Sequence, residues 1–419
     1  MRDILQEIWA TSKRNKLRTA LTGFAVAWGI FMIIFLLGAG NGLINALEEN
    51  SNDVLANSMI IGGGFTGKAH NGYKENRYIE LEHKDVETTE KTFVAHIDDI
   101  GAQIVQGEQT MSLGENYVSG SVYGVYPSFM TINKVKILHG RFIDDDDLKE
   151  QRKVVVISKS DAKELMPHDY TQLIGQHVKI SNLAFKVVGI AKNDESSMGS
   201  EFYSPFTTIR TMYAKGNKVG EILLSFHGLN TEEENEAFEK NLKEKLNRNH
   251  NAAPDDESAV WIWNRFTQSM QMATGMSIIR MALWIVGLFT LLSGIVGVGN
   301  IMLITVKERT REFGIRKAIG AKPSQILRLI IIESIIITTM FGYVGMVTGI
   351  AANEYMNSTI GNKQADIGVG KAKMFVNPTV GLDVCIEATL VMVIAGTFAG
   401  VIPARKAAKI RPIEALRSE

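Results

Sequence analysis

The sequence predicts an α-helical membrane protein with four transmembrane helices and an α+β extracytoplasmic domain of two subdomains. Three observations predict it. Four long stretches are almost free of charge while the rest is as polar as a soluble domain, so the mean hydropathy of +0.03 averages unlike parts. Basic residues cluster beside the apolar stretches: residues 1–18 hold five Lys/Arg against two Asp/Glu, 306–328 seven against two, and 405–419 five against two. Residues 41–275 reverse the balance, with 24 Lys/Arg against 34 Asp/Glu, and alternate strand-like with helix-like patterns.

The first span, 19–43, is built on Ala20–Leu43, an uncharged run. As a helix that run is about 36 Å long at ~1.5 Å per residue, enough to cross a ~30 Å hydrocarbon core. A cleaved signal peptide is the alternative, since Lys13, Arg14, Lys16 and Arg18 precede it. Against it, the run exceeds an ordinary signal-peptide core, and Gly38–Gly42 makes a weak cleavage site. The remaining spans are 276–306, 326–352 and 382–402, with an extracytoplasmic loop at 353–381. All three basic flanks fall on one side if both termini are cytoplasmic, which places 44–275 outside by the positive-inside rule. Small residues recur four apart within the spans at Gly38/Gly42, Ser293/Gly297, Gly345/Gly349 and Gly396/Gly400. Such pairs suit close helix contact in lipid, and glycine is also simply common there.

In the outer domain, strands are expected at Ser58–Ile61, Ser119–Val125, Val154–Ile157, Glu221–Phe226 and Val260–Trp263. Val178–Ile180 and Phe185–Ile190 bracket Asn182 as a hairpin. Lys84–Thr92 reads as a short helix, and Glu232–Asn247 as an amphipathic one burying Ala237, Phe238, Leu242 and Leu246. The pieces at 44–117 and 221–275 are expected to form a membrane-proximal subdomain interrupted by a β-rich one over 118–220.

Catalytic chemistry is not expected. Gly62 through Lys68 fits G-x-x-x-x-G-K, but Ala69 stands where a P-loop needs a Mg²⁺-binding hydroxyl, and His70–Asn76 is turn-forming rather than helical. The eight histidines never fall within four residues of one another. Asp144–Asp147 lacks the glycine and terminal glutamate of a calcium loop and reads as a solvated turn. The single cysteine, Cys385, excludes a disulfide framework and cysteine metal clusters. No catalytic, cofactor-binding or metal-ligating residue is therefore expected, and no nucleic-acid partner. Glu333 and Glu387 fall within spans, where each carboxylate should face protein or water; a structural hydrogen bond to a neighbouring helix is expected over the alternative of a proton relay, because no chain of ionisable partners accompanies them.

Residues 307–325 form a basic cytoplasmic segment in which Phe313, Ile315 and Ile319 are apolar among Lys307, Arg309, Arg311, Arg316 and Lys317. Gly320 suits a helix stop and Pro323 a helix start. A short helix with this apolar stripe and charged rim fits a groove on a soluble partner or the surface of anionic lipid.

The stretch KERTREFGIRKAIGAKPSQI resembles the segment between the second and third spans of FtsX-like ABC permeases. The tail PARKAAKIRPIEALRSE, at 403–419, is similar to the same family's end motif, and NKLRTALTGFAVAWGI to its first span. The pieces VYGVYPSFM, LHGRFI, KVVVIS, LIGQHVKI and FKVVGI resemble the MacB-type extracytoplasmic domain. The resemblance implies a non-catalytic permease subunit of the inner membrane, opening with an amphipathic cytoplasmic helix at 1–18 and placing its large domain in the periplasm. Its coupling residues would be Glu308, Arg311, Glu312, Phe313, Gly314, Ile315, Arg316, Lys317, Ile319 and Gly320, gripped by a separate ATPase present in two copies. MacB itself carries an N-terminal ATPase, whereas this chain is expected to begin directly with the permease. Further implied partners are a second permease chain, identical or paralogous, and a periplasmic adaptor with an outer-membrane channel. The implied action is mechanotransmission, serving efflux of antibiotics, peptides or other amphiphiles, with lipoprotein release or regulation of a cell-wall hydrolase as alternatives.

Overall fold

The computed structural model describes residues 16–51, 55–193, 199–361, 363–366 and 371–409. The segments 1–15 and 410–419, where a helix and a tail were expected, lie outside them. In chain order the elements begin with α1 (Lys16–Ser51), β1 (Ser58–Gly63), α2 (His83–Thr92), β2 (Ile97–Leu113), β3 (Asn116–Val125), α3 (Ser128–Ile132), β4 (Ile137–Gly140) and α4 (Asp145–Lys149). Next come β5 (Val154–Ser158), α5 (Lys159–Leu165), β6 (His177–Ile180), β7 (Leu183–Ala191), β8 (Ser200–Pro205), α6 (Phe206–Met212), β9 (Glu221–Phe226), α7 (Glu232–Asn249) and β10 (Val260–Asn264). The chain continues through α8 (Arg265–Glu308), α9 (Thr310–Ala318), α10 (Pro323–Ile360), β11 (Gln364–Asp366), β12 (Lys371–Lys373) and α11 (Leu382–Lys409). The described residues form two compact units: those within 1–49, 274–364 and 373–419 form one, and those within 50–273 and 365–372 the other.

The α+β unit is built on a ten-stranded sheet in the order β10-β1-β9-β2-β3-β8-β5-β7-β4, with β6 pairing β2 and β7. Strand β2 unites it. Its first part, Ile97–Gln103, pairs antiparallel with β9, and from Gln103 onward it pairs with β3. At ~3.3 Å per residue its 17 residues reach about 56 Å, so strands from both expected subdomains share one sheet. The 178–190 hairpin forms as expected: Ile180 faces Leu183 across a two-residue turn in which Ser181 has φ 55°. Phe185, Phe202, Phe206 and Phe226 are fully buried in the core. Helix α7 buries Phe238, Leu242 and Leu246, but Ala237 is exposed and Asn235 is buried in its place. Asn235 is tolerated there because its Nδ2 donates to the carbonyls of Leu229 and Thr231.

The Asp144–Asp147 run is not a solvated turn. Asp144 caps α4 and Asp147 is buried, its carboxylate accepting from Arg141 Nη1 at 2.6 Å and Arg152 Nη1 at 3.5 Å. The burial of Asp147 alone works against its charge, but the two guanidinium groups and the Asp144 N–H outweigh this and hold its pKa below the usual carboxylate range.

Among the described residues, four helices are long and apolar enough to cross a membrane: Thr19–Glu49, Arg265–Glu308, Pro323–Ile360 and Leu382–Arg405. Small residues sit where these helices touch. A Cβ at Gly345 would collide with the Ala27 carbonyl oxygen, so α1 and α10 meet backbone to backbone. Gly396 and Gly400 face Thr338 and Ser334, and Ser334 Oγ donates to the Gly396 carbonyl at 3.2 Å. Buried Asn353 donates to the Ile34 carbonyl at 2.9 Å, tying α10 to α1.

Candidate coupling site

Helix α8 ends at Glu308, and Arg309, with φ −89° and ψ 9°, separates it from α9. Helix α9 stops on a Schellman turn. Gly320 adopts φ 100°, its N–H donates to the Lys317 carbonyl, and the Ala321 N–H donates to the Arg316 carbonyl at 2.9 Å. The chain restarts on Pro323 at the first position of α10, where Gln325 Oε1 accepts from the Lys322 N–H at 3.1 Å. Glycine and proline thus act as expected, and together they fix where α9 ends and α10 begins.

The expected apolar stripe is split across the helix. Phe313 and Gly314 are buried, Phe313 packing with Val306, Ile326, Leu329, Ile330 and Ala404 of the chain's own helices. The expectation that Phe313 fills a partner's groove is therefore corrected. Residues two apart on a helix point to nearly opposite sides, so Phe313 and Ile315 cannot share a face. Ile315 and Ile319, four apart, do share one; they are 44% and 80% exposed. Arg311 and Ala318 are exposed at the same helical spacing, and Glu308 and Gly320 are also exposed.

Beneath this face lies an ionic network that sequence reasoning missed. Arg309 Nη1 donates to Glu333 Oε2 of α10 at 3.1 Å, with side chains 12% and 6% exposed. Arg309 also forks onto Glu312, Nε to Oε2 at 2.9 Å and Nη2 to Oε1 at 3.1 Å, and its guanidinium lies 5.2 Å from the Phe313 ring centroid. Arg316 donates to Glu312 Oε1 at 2.7 Å. Partial burial of Glu312 opposes its ionisation, but Arg309 and then Arg316 prevail and hold its pKa below the ordinary value. Glu333 therefore has an ionisable partner, contrary to expectation; an intramembrane carboxylate opposite a basic flank was the signal available. Glu387, by contrast, is exposed on α11.

The P-loop lookalike is differently engaged. Gly62 and Gly63 lie in β1, and the N–H groups of Gly67 and Lys68 donate to Asp256 Oδ2 at 2.8 and 3.1 Å. Lys68 Nζ pairs with Asp255 at 2.6 Å. The donors that would cradle a phosphate already hold a carboxylate, and no helix N-terminus follows. Among the described residues, no group of three or more His, Cys, Asp and Glu is placed to hold a metal ion.

The MacB-like periplasmic core domain family matches residues 19–245, and the FtsX-like permease C-terminal family matches residues 284–412. A macrolide export ATP-binding/permease protein MacB from Neisseria meningitidis is 26% identical over 411 residues, covering 97% of this chain and 59% of the relative. The chain thus spans about three-fifths of the length of that relative. An uncharacterised ABC transporter permease YknZ from Bacillus subtilis is 26% identical over 417 residues, covering 97% of this chain and 96% of the relative. The crystal structure of the periplasmic region of MacB from Actinobacillus actinomycetemcomitans aligns with a TM-score of 0.43 at 20% identity, over 54% of this chain and 97% of that one. The extracellular domain of YknZ from Gram-positive bacteria aligns with a TM-score of 0.41 at 18% identity, over 50% of this chain and all of that one.

Proposed function

We propose that this chain, which belongs to the family of ABC transporter permeases with a MacB-like periplasmic core domain and an FtsX-like C-terminal part, transmits ATP-driven motion of a separate ATPase to its α+β unit. The termini and α9 face the cytoplasm, and the α+β unit faces the other side of the membrane. Two copies of the ATPase dock beneath two permease chains, and each α9 enters a groove on one ATPase. The observation that carries this reading is the pairing of an exposed Ile315/Ile319 knob with a buried Phe313 anchor. A short helix seated on its own spans by one face, and offering two large apolar side chains on the other within a basic rim, suits a protein groove. A helix lying on lipid would turn its whole apolar face to the membrane.

The work done outside is export of amphiphiles across the envelope. Relatives named for macrolide export support that choice over lipoprotein release or control of a cell-wall hydrolase. Purification of the tagged chain in mild detergent tests the proposal: an ABC ATPase co-purifies with wild type and is lost from Ile315→Asp and Ile319→Asp. Each substitution forces a carboxylate into an apolar groove or expels the helix, so capture falls by ~10-fold or more. Retention of the ATPase at wild-type stoichiometry by both variants overturns the assignment of α9 as the docking element.

A further inference from the structure

We infer that Arg309 is a latch that locks the end of α8, helix α9 and helix α10 into one moving body, with the Arg309–Glu333 pair as its bolt. Docking and transmission are on this view separate tasks of separate residues; the inference rests on the proposed role of α9 as the docking helix. The geometry is specific. Arg309 is the one residue between α8 and α9, at a break where the helical path is interrupted. A backbone break is a natural hinge, and a push on α9 would be absorbed there unless something bridges it. Arg309 itself is tied to the last turn of α8, its N–H donating to the Thr305 carbonyl at 3.1 Å, and its guanidinium reaches Glu312 and the Phe313 ring on α9 and Glu333 on α10.

Glu333 lies ten residues beyond Pro323, about 15 Å along α10 at ~1.5 Å per residue. The bond therefore grips α10 well inside the helix rather than at its frayed start. Both partners are largely shielded from water, where a charge-assisted bond is directional and little screened. Ile315 and Ile319 take no part in this network, which is why docking can survive its loss. Arginine is required because one planar fork reaches two carboxylates at once, whereas a lysine ammonium is a point charge at the end of a flexible stem. Arg309 is accordingly a positioning residue, acting on the partner through α9.

The test separates the latch from docking. In the full chain without ATPase, on a Cys385→Ser background, spin labels at Ala318→Cys and Ile335→Cys report the spacing of α9 and α10. Wild type gives one narrow distance distribution. Arg309→Lys, and the double variant Arg309→Met with Glu333→Leu, broaden it by roughly twofold, because the pair is replaced without leaving a lone buried charge. In the complex with the co-purified ATPase, the same variants keep ATPase capture near wild type. They lose the ATP-dependent change in thiol reactivity of Met270→Cys that the wild-type background shows. A loss of ATPase capture confined to the Ile315 and Ile319 variants belongs to docking, and an absence of capture by wild type overturns docking while leaving the spacing measurement standing. An unchanged distance distribution in both latch variants, or an ATP response of wild-type size in either, overturns the latch.

Discussion

Asp147 and Arg265 each meet a local conflict between burial and polarity, whereas Phe313 is an apolar side chain in an apolar setting. Phe313 is large, fully buried and surrounded by side chains of its own unit. Phe313→Ala should cost roughly 3 kcal/mol through the cavity it leaves, whereas Ile319→Ala at an exposed site should stay within about 0.5 kcal/mol. Thermal unfolding in detergent of the two variants checks the contrast. Arg265, at the first turn of α8, is buried against Ser58, the Ile132 carbonyl and Asn133. Burial pushes its pKa down to about 10, partly offset by the nearby Glu221 charge. Asp147 and Asp85 are the acid-sensitive joints. Each is disfavoured as a charge by burial and rescued by hydrogen bonds, Asp147 first by Arg141 and Asp85 first by His250, and each net pKa is depressed. A depressed carboxyl contributes stability that is present above its unfolded pKa and lost as the pH falls through the folded one. Both joints should therefore weaken the α+β unit below about pH 4. Asp147→Asn should lower stability at neutral pH by about 1–3 kcal/mol and flatten that acid limb, as pH-dependent unfolding would show; an unchanged acid limb would contradict it.

Among elements, α9 shows what a sequence discloses and what it withholds. Gly320 and Pro323 mark the stop and the restart because their backbone limits act locally. Gly320→Ala should cost about 1 kcal/mol, since only glycine takes φ 100° without strain, and should fray the last turn of α9. Amide hydrogen exchange over 316–321 measures this, and faster exchange is the expected result. Phe313, Ile315 and Ile319 are legible as apolar positions of one helix, but the expected single stripe fails because only Ile315 and Ile319 have the spacing of one face. The Arg309–Glu333 bond joins residues 24 apart through tertiary packing, and neither residue's local context names the other. Strand β2 was hidden for a similar reason. It pairs on both sides, carries a register shift between Gln106 and Gln109, and has no regular in–out alternation, so no period of two appears. The β6–β7 hairpin, with alternating burial in β6 and a two-residue turn, was readable at once.

At the scale of the whole molecule, the charge asymmetry of the flanks supports the proposed orientation, cytoplasmic termini with the α+β unit outside. A membrane-impermeant thiol reagent should label Asp145→Cys in intact spheroplasts and spare Ser324→Cys, both being exposed positions. The four apolar helices and the presence of a folded α+β unit were legible because burial in lipid and burial in a water-soluble core leave different compositions. The central claim, that ATP-driven motion at α9 reaches the α+β unit, is tested most directly by one distance. With the permease and its co-purified ATPase in lipid nanodiscs, spin labels at Tyr117→Cys, an exposed position on β3, report the separation between two permease copies. The account predicts that ATP shifts this distance in the wild-type background and leaves it unchanged when Ile315 and Ile319 are both replaced by aspartate. A distance that ignores ATP while the ATPase remains bound and active, or one that still shifts in the double aspartate variant, would contradict it.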